Sequence, residues 1–297
     1  MKLIAPDYYP GFHCIAGSCR HSCCIGWEID IDGETLARYR RVPGKFGRRL
    51  AEHIDITEEC ASFRLDEHER CPFLNSGGLC DIILYLGEDA LSQICTDHPR
   101  FRAFFSDRTE IGLGLCCEAA AALILRREEP VRLITLTDDG AAESLTAWER
   151  LLLAERDRRI ALAQDRALSA ETRMAKLCHL PERSFDEWTG IYLSLEQMDP
   201  AWSVLLRRAR ESTVRAAVPE TLREQLLVYF LYRHLSHAED RRELDARTAF
   251  AVLSEQMITA LIARQPGESP EEIARLYSSE IEYSEENTEA LIELLGE

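Results

Sequence analysis

The chain has 297 residues, 46% of them apolar, and a formal net charge of −17. That apolar content is enough to bury a sizeable core in one large domain or two ordinary ones, and its even spread excludes a disordered chain. A surface this acidic repels phosphate, so neither nucleic acid nor an anionic membrane is an expected partner.

No charged-then-apolar signal segment opens the chain, since Met1 is followed by Lys2, Leu3, Ile4, Ala5 and Pro6. The longest nearly uncharged apolar run, Ala119 to Leu125, is far short of a membrane span. The expectation is a soluble, cytoplasmic protein. Residues 1 to 130 are broken by glycine, proline and cysteine into short elements. Gly26 to Asp32 alternates apolar and polar residues as a half-buried strand does, Asp32-Gly33 ends it as a turn, and Glu34 to Arg41 is helical. Asp81 to Leu86 and Ala90 to Ile94 read as helical pieces interrupted at Gly87, and Glu118 to Arg127 as an alanine- and leucine-rich helix that stops before Pro130.

Residues 131 to 136 read as a strand, Thr137-Asp138-Asp139-Gly140 as a turn, and a boundary falls near 130. Beyond it the chain is mostly helix. Leu145, Trp148, Leu152 and Glu155 keep helical spacing on towards Arg166, and Pro219 to Ser236 and Ala246 to Arg264 follow. Ser269-Pro270-Glu271-Glu272 combines an N-cap, a first-turn proline and early acids, and Ser284-Glu285-Glu286 starts the last helix. The expected fold is mostly α: an irregular, cysteine-rich, metal-binding N-terminal domain with short strands (1–130), then a helical domain (131–297).

Ten of the eleven cysteines precede residue 118, and only Cys178 lies beyond. Where the cytosol keeps thiols reduced, a clustered and odd-numbered set reads as metal-binding rather than as disulfides. The order is Cys14-x4-Cys19-x3-Cys23-Cys24, then Cys71-x8-Cys80, Cys95 and Cys116-Cys117. Thiolates are soft, charged ligands that bind zinc or iron–sulfur iron in sets of four. The first spacing is one residue longer than the plant-type ferredoxin run. Gly26 stands where a radical-SAM motif needs its third cysteine. Long spacers favour an iron–sulfur cluster over structural zinc, which stays as the alternative. Cys60 and Cys178 have no partner at ligand spacing and read as small buried hydrophobes. His13 and His21 flank the cysteines, where they either ligate or bond a thiolate.

Several motifs in order resemble a known family. They are Pro6-Asp7-Tyr8-Tyr9, Phe12-His13-Cys14, Cys23-Cys24-Ile25-Gly26-Trp27, Cys71-Pro72-Phe73-Leu74-Asn75, Gly78-Leu79-Cys80-Asp81-Ile82, Cys95-x2-His98-Pro99-Arg100 and Leu115-Cys116-Cys117-Glu118. A weaker echo runs from Glu280 to Asn287. Together they resemble the flagellin lysine-N-methylase family and, more broadly, the YkgJ-type cysteine-cluster proteins. The resemblance implies methylation of flagellin lysine side chains with S-adenosylmethionine by an enzyme holding a [4Fe-4S] cluster. It carries over Cys14, Cys19, Cys23, Cys24, Cys71, Cys80, Cys95 and Cys116 as the metal set. The sequence departs at Cys117, where the family has proline, and at the extra Cys60.

An accepting lysine, with a reference pKa of about 10.4, must lose its proton before attack, and an apolar pocket with a nearby base promotes that. Tyr8, Tyr9, Trp27, Asp97 and His98 are candidates to line such a pocket. Arg100 pairs either with a cofactor carboxylate or with a structural acid. No glycine-rich dinucleotide fingerprint is present, so two other readings stand beside the enzyme: a non-catalytic metal-binding module, and a redox or electron-transfer protein.

Overall fold

The structure, a computed structural model, describes residues 1–58, 60–140 and 143–296. Six strands occur among them: β1 (Lys2–Pro6), β2 (Ile54–Ile56), β3 (Ala61–Phe63), β4 (Arg100–Phe104), β5 (Arg108–Leu113) and β6 (Leu133–Asp138). The fold is largely helical, and the described residues form two compact units, one from His13 to Arg100 and the other from Met1–Phe12 with Phe101 onwards. Residues 101–130, grouped with the cysteine-rich part by composition, pack within the helical unit.

The cysteine-rich unit contains helices α1 (Gly33–Tyr39), α2 (Gly44–Glu52), α3 (Asp81–Leu86) and α4 (Gln93–Asp97), with β2 and β3 as an antiparallel pair. Its core is small: Ile29, Tyr39, Leu50, Phe63, Phe73 and Ile82 are nearly or fully buried, and the Phe63 and Phe73 rings sit 5.0 Å apart. Asp32 does more than end a turn. One of its carboxylate oxygens caps α1 by accepting from Thr35 N (2.9 Å), and the other accepts from Gln93 N (3.0 Å), which ties α4 to α1. Gly17 and Gly78 are needed for close approach, because a Cβ on Gly17 would stand 2.6 Å from the Gly77 carbonyl oxygen, and Gly78 has φ +72°.

The expected strand at Gly26–Asp32 is not formed. Ile29 and Ile31 are buried and Asp30 is exposed, so the alternation is real, yet the segment touches β3 through the isolated bridge Asp30–Ser62. Because β3 is only three residues long, no ladder extends. The expected helix at Ala90–Ile94 also shifts: a single turn of 3-10 helix covers Glu88–Ala90 and α4 begins after Ser92.

In the helical unit β1 lies inside a four-stranded sheet of order β4-β5-β1-β6, parallel to β5 and antiparallel to β6. The nine helices described after it are α5 (Glu118–Leu125), α6 (Ala147–Ala163), α7 (Ala170–Leu177), α8 (Phe185–Ser194), α9 (Pro200–Glu211), α10 (Glu220–Leu235), α11 (Arg241–Arg264), α12 (Pro270–Tyr277) and α13 (Glu285–Gly296). A π-helical turn, Ser278–Glu282, joins α12 to α13. Buried Ala120 and Ala121 present little bulk where α5 meets α12. Helix α10 is buried nearly all round, charged residues such as Glu224 included, and packs against both α6 and α11. No described helix is long and apolar enough to cross a membrane.

Helix starts follow the expected chemistry. Thr146 and Glu149 form a reciprocal capping box on α6, and the Glu149 carboxylate also accepts from Ser106 N (2.8 Å) and Oγ. Replacing Thr146 by alanine removes the cap and loosens that link to β5's preceding turn. We expect a loss of about 1 kcal/mol in urea unfolding. An unchanged midpoint would mean that Glu149 alone holds the helix start.

Candidate functional site

The cysteine-rich unit brings most of the thiols together. Cys71 N donates to Cys24 O (2.8 Å) and Gly26 N to Glu69 O (3.0 Å), so the Cys23-Cys24 segment runs beside Cys71. The loop from Cys71 to Cys80 is held by Asn75, whose Oδ1 accepts from Gly77 N (2.9 Å) and Leu79 N (3.1 Å) while its Nδ2 donates to Asp81 (3.0 Å). Asp81 is in turn held by Arg49 at 2.6 Å. These bonds give a physical reason for Asn75 and Asp81 in the motif: they set the loop that carries two thiols.

Electrostatics register the convergence. Burial pushes the Cys71 thiol up to about 12, with further repulsion from Cys24, Cys95 and Cys80. Burial likewise raises Cys95, to about 11, and Cys80. Cys23 bonds to Cys24, and this raises Cys23 and lowers Cys24; Cys14 and Cys95 add to the repulsion on Cys23. Six thiols (Cys14, Cys23, Cys24, Cys71, Cys80 and Cys95) therefore feel one another. Cys19 Sγ donates to His21 O at 3.3 Å. All eleven cysteines are free thiols. The donor set is soft sulfur with mutual repulsion that a cation relieves, which fits a thiophilic metal chemically. Among the described residues, no three histidine, cysteine or acidic side chains are drawn onto one point in a metal-holding group.

The remaining candidates divide between the units. Trp27 and His98 lie in the cysteine-rich unit with ring centroids 6.1 Å apart, and Trp27 Nε1 donates to Cys23 O. Burial, with Arg100 adding repulsion, lowers His98 to about 4. That imidazole is neutral at physiological pH and too weak a base to take a proton from an ammonium. Asp97 accepts from Gln93 Nε2 (2.8 Å) one turn back on α4. The Arg100 guanidinium donates to Thr96 O (2.8 Å) and His98 O (3.5 Å). His13 and Cys60 are exposed, and Cys178 is half-buried in the helical unit. Tyr8 and Tyr9 belong to the helical unit, where Tyr8 is buried against the core and lines a cavity.

Cys116 also belongs to the helical unit and meets a polar group the sequence did not flag. Burial raises its thiol to about 12, opposed by a hydrogen bond with Tyr283 and by Arg233. Behind it, Tyr229 Oη accepts from Leu115 N (3.2 Å) and Arg233 (2.8 Å) and donates to Glu282 (2.9 Å). His234 Nε2 bonds Glu282 at 2.7 Å and Arg233 pairs with it at 3.2 Å. Burial alone would raise the Glu282 carboxyl; Arg233 and His234 reverse this and hold it below the usual range. Glu282 ends the π-helical turn, a device that recurs at functional sites. Glu280 and Asn287 of the same segment are buried too: Glu280 accepts from Met198 N, and Asn287 Nδ2 donates to Glu280 O (2.7 Å). Only the motif echo from Glu280 to Asn287 signalled this frame.

The chain is similar to known proteins. The chain is 28% identical over 139 residues to a lysine-N-methylase of Salmonella typhimurium and, to the same degree, to one of Salmonella choleraesuis. It is 26% identical over 139 residues to the flagellar biosynthetic protein FliU of Salmonella muenchen. The resemblance to the lysine-N-methylases holds. Each match covers 45% of this chain; it spans 35% of the length of the lysine-N-methylases and 82% of FliU. No protein-family profile matches the chain, and no solved structure does.

Two outcomes test this geometry. Glu282→Gln leaves Arg233 buried without its counter-charge, with an expected loss of about 3–5 kcal/mol in chemical denaturation; an unchanged midpoint would show that the carboxylate carries no folding energy. His98 is buried neutral, so the unfolded chain binds its proton more readily. Its contribution is complete above pH 6.5 and is lost as pH falls towards about 4. Melting across that range should fall more steeply for the natural protein than for His98→Gln, and parallel curves would place His98 in water.

Proposed function

We propose that the protein is a lysine N-methyltransferase that acts on lysine side chains of flagellin, with S-adenosylmethionine as methyl donor. One observation carries the reading: the cysteine motifs occur in the order and spacing of the lysine-N-methylase family, and the chain resembles proteins of that name. Further support comes from the thiols that converge in the cysteine-rich unit.

In this reading the lysine nitrogen, once deprotonated, attacks the donor's methyl carbon. The new C–N bond forms as the C–S bond breaks, the electron pair stays on sulfur, and the nitrogen sheds a proton to a base or water. Cys14, Cys23, Cys24, Cys71, Cys80 and Cys95 form the thiol group that would hold a [4Fe-4S] cluster, with zinc as the alternative. Such a centre would supply a cationic partner for crowded thiolates and folding energy for a unit with a small core. Trp27, through its bond to the Cys23 carbonyl, and Asn75, through the Cys71–Cys80 loop, orient the thiols.

A second reading is a non-catalytic module stapled by metal. It is favoured by the arrangement of the helical unit, whose helices follow one another without the alternating parallel strands of a dinucleotide-type fold.

Protein purified without oxygen and incubated with flagellin and S-adenosylmethionine should add mass in steps of one methyl group at lysine. It should contain iron and sulfide, and Cys24→Ser and Cys71→Ser should lower both, whereas Cys178→Ser should not. Iron-loaded, folded protein that leaves flagellin unmodified would favour the module; colourless protein with zinc would remove the cluster.

A further inference from the structure

The cysteine-rich unit carries one run of charge opposite to that of the chain. Residues 35 to 51 hold Arg38, Arg40, Arg41, Lys45, Arg48 and Arg49 and no acid, in a chain whose formal net charge is −17. The rest of the unit, 13–34 and 52–100, has four basic residues against fifteen acidic ones. Folding keeps the run together at the surface. A Cβ at Gly47 would overlap the Val42 carbonyl, so the turn with Arg40 and Arg41 lies against α2. Lys45 and Arg48 of α2 are three residues apart and share a side of that helix. Arg40, Arg41, Lys45 and Arg48 are all exposed, and none is in an ion pair among the described residues. In the helical unit, by contrast, the partly exposed Arg127, Arg166 and Arg247 each pair with an acid. Arg49 is held by Asp81 of α3 at 2.6 Å, and this contact seats an apolar edge beside the free cations. Tyr85 of α3 stacks on Phe46 of α2 with ring centroids 4.8 Å apart, yet it is 68% exposed, and Leu84 is 58% exposed.

We propose that this surface docks an acidic segment of a protein partner that also carries aromatic or aliphatic side chains. The partner's carboxylates would meet Arg40, Arg41, Lys45 and Arg48, and its apolar side chains would cover Tyr85 and Leu84. The mixture of groups selects this occupant. Guanidinium groups without a partner of their own bind carboxylates through paired donors. An exposed tyrosine beside them is the kind of anchor that gains most when a partner covers it. Nucleic acid fits less well, because a helix of nine residues is only about 14 Å long. A duplex continuing past it would carry its phosphates onto the fifteen acids of the same unit. An anionic membrane would meet them too. The proposal stands apart from the methylation reading, since docking needs no methyl transfer.

The test uses the full chain, without methyl donor, and a fluorescent peptide of alternating glutamate and tyrosine. Anisotropy should show saturable binding that weakens as salt rises, because the contact is between exposed charges. Binding should be at least about tenfold tighter than to a glutamate peptide of the same length. Tyr85→Ser should remove that advantage. Lys45→Glu combined with Arg48→Glu should weaken binding of the alternating peptide by at least about tenfold. The same change of charge in the helical unit, Lys176→Glu with Arg208→Glu, should leave it as it is. All these positions are exposed, so thermal melts should not move. Lys45→Gln with Arg48→Gln, which keeps good helix formers, should give the same direction of loss. No saturable binding, equal affinity for the two peptides, or an equal loss in the control pair would overturn the proposal. So would tighter binding of oligouridylate, or of vesicles of equal phosphatidylglycerol and phosphatidylcholine, which would assign the same cations to phosphate.

Discussion

A buried carboxylate is costly unless backbone N–H groups or a cation meet it, and four meetings with an arginine recur among the described residues of the helical unit. Glu110 of β5 pairs with Arg156 of α6, Glu224 of α10 with Arg173 of α7, Glu255 of α11 with Arg223 of α10, and Glu282 of the π-helical turn with Arg233 of α10. Each acid is almost completely buried. The partners come from different elements, so a slip of one helix along another would strand a charge, at several kcal/mol per ion. Three of the four pairs involve α10. A helix buried nearly all round takes little rotational preference from burial alone; these pairs supply one.

The cysteine-rich unit is held in another way. Its core is small, and its polar bonds (Asp32 to α1 and α4, Asn75 and Arg49 to Asp81) fix loops rather than layers. The hydrogen bond between Cys23 and Cys24 raises the first thiol and lowers the second, Arg70 also lowers Cys24, and burial is the main cause that raises Cys71.

Much of the architecture was legible from local chemistry. The Ser269 cap announces its helix, α6, α10 and α12 begin within a few residues of the expected positions, and α11 begins five residues before Ala246, while α7, α8 and α9 were not read from the sequence. What local pattern misses is pairing between distant segments. β1 is a five-residue strand that depends on β5 and β6, more than a hundred residues further on, and its own residues give no ladder signal. The reverse holds at Gly26–Asp32, where the alternation is correct and the partner too short. The company of Cys116 was not legible, because Tyr229, Arg233 and Tyr283 are remote in sequence and read there as core or surface.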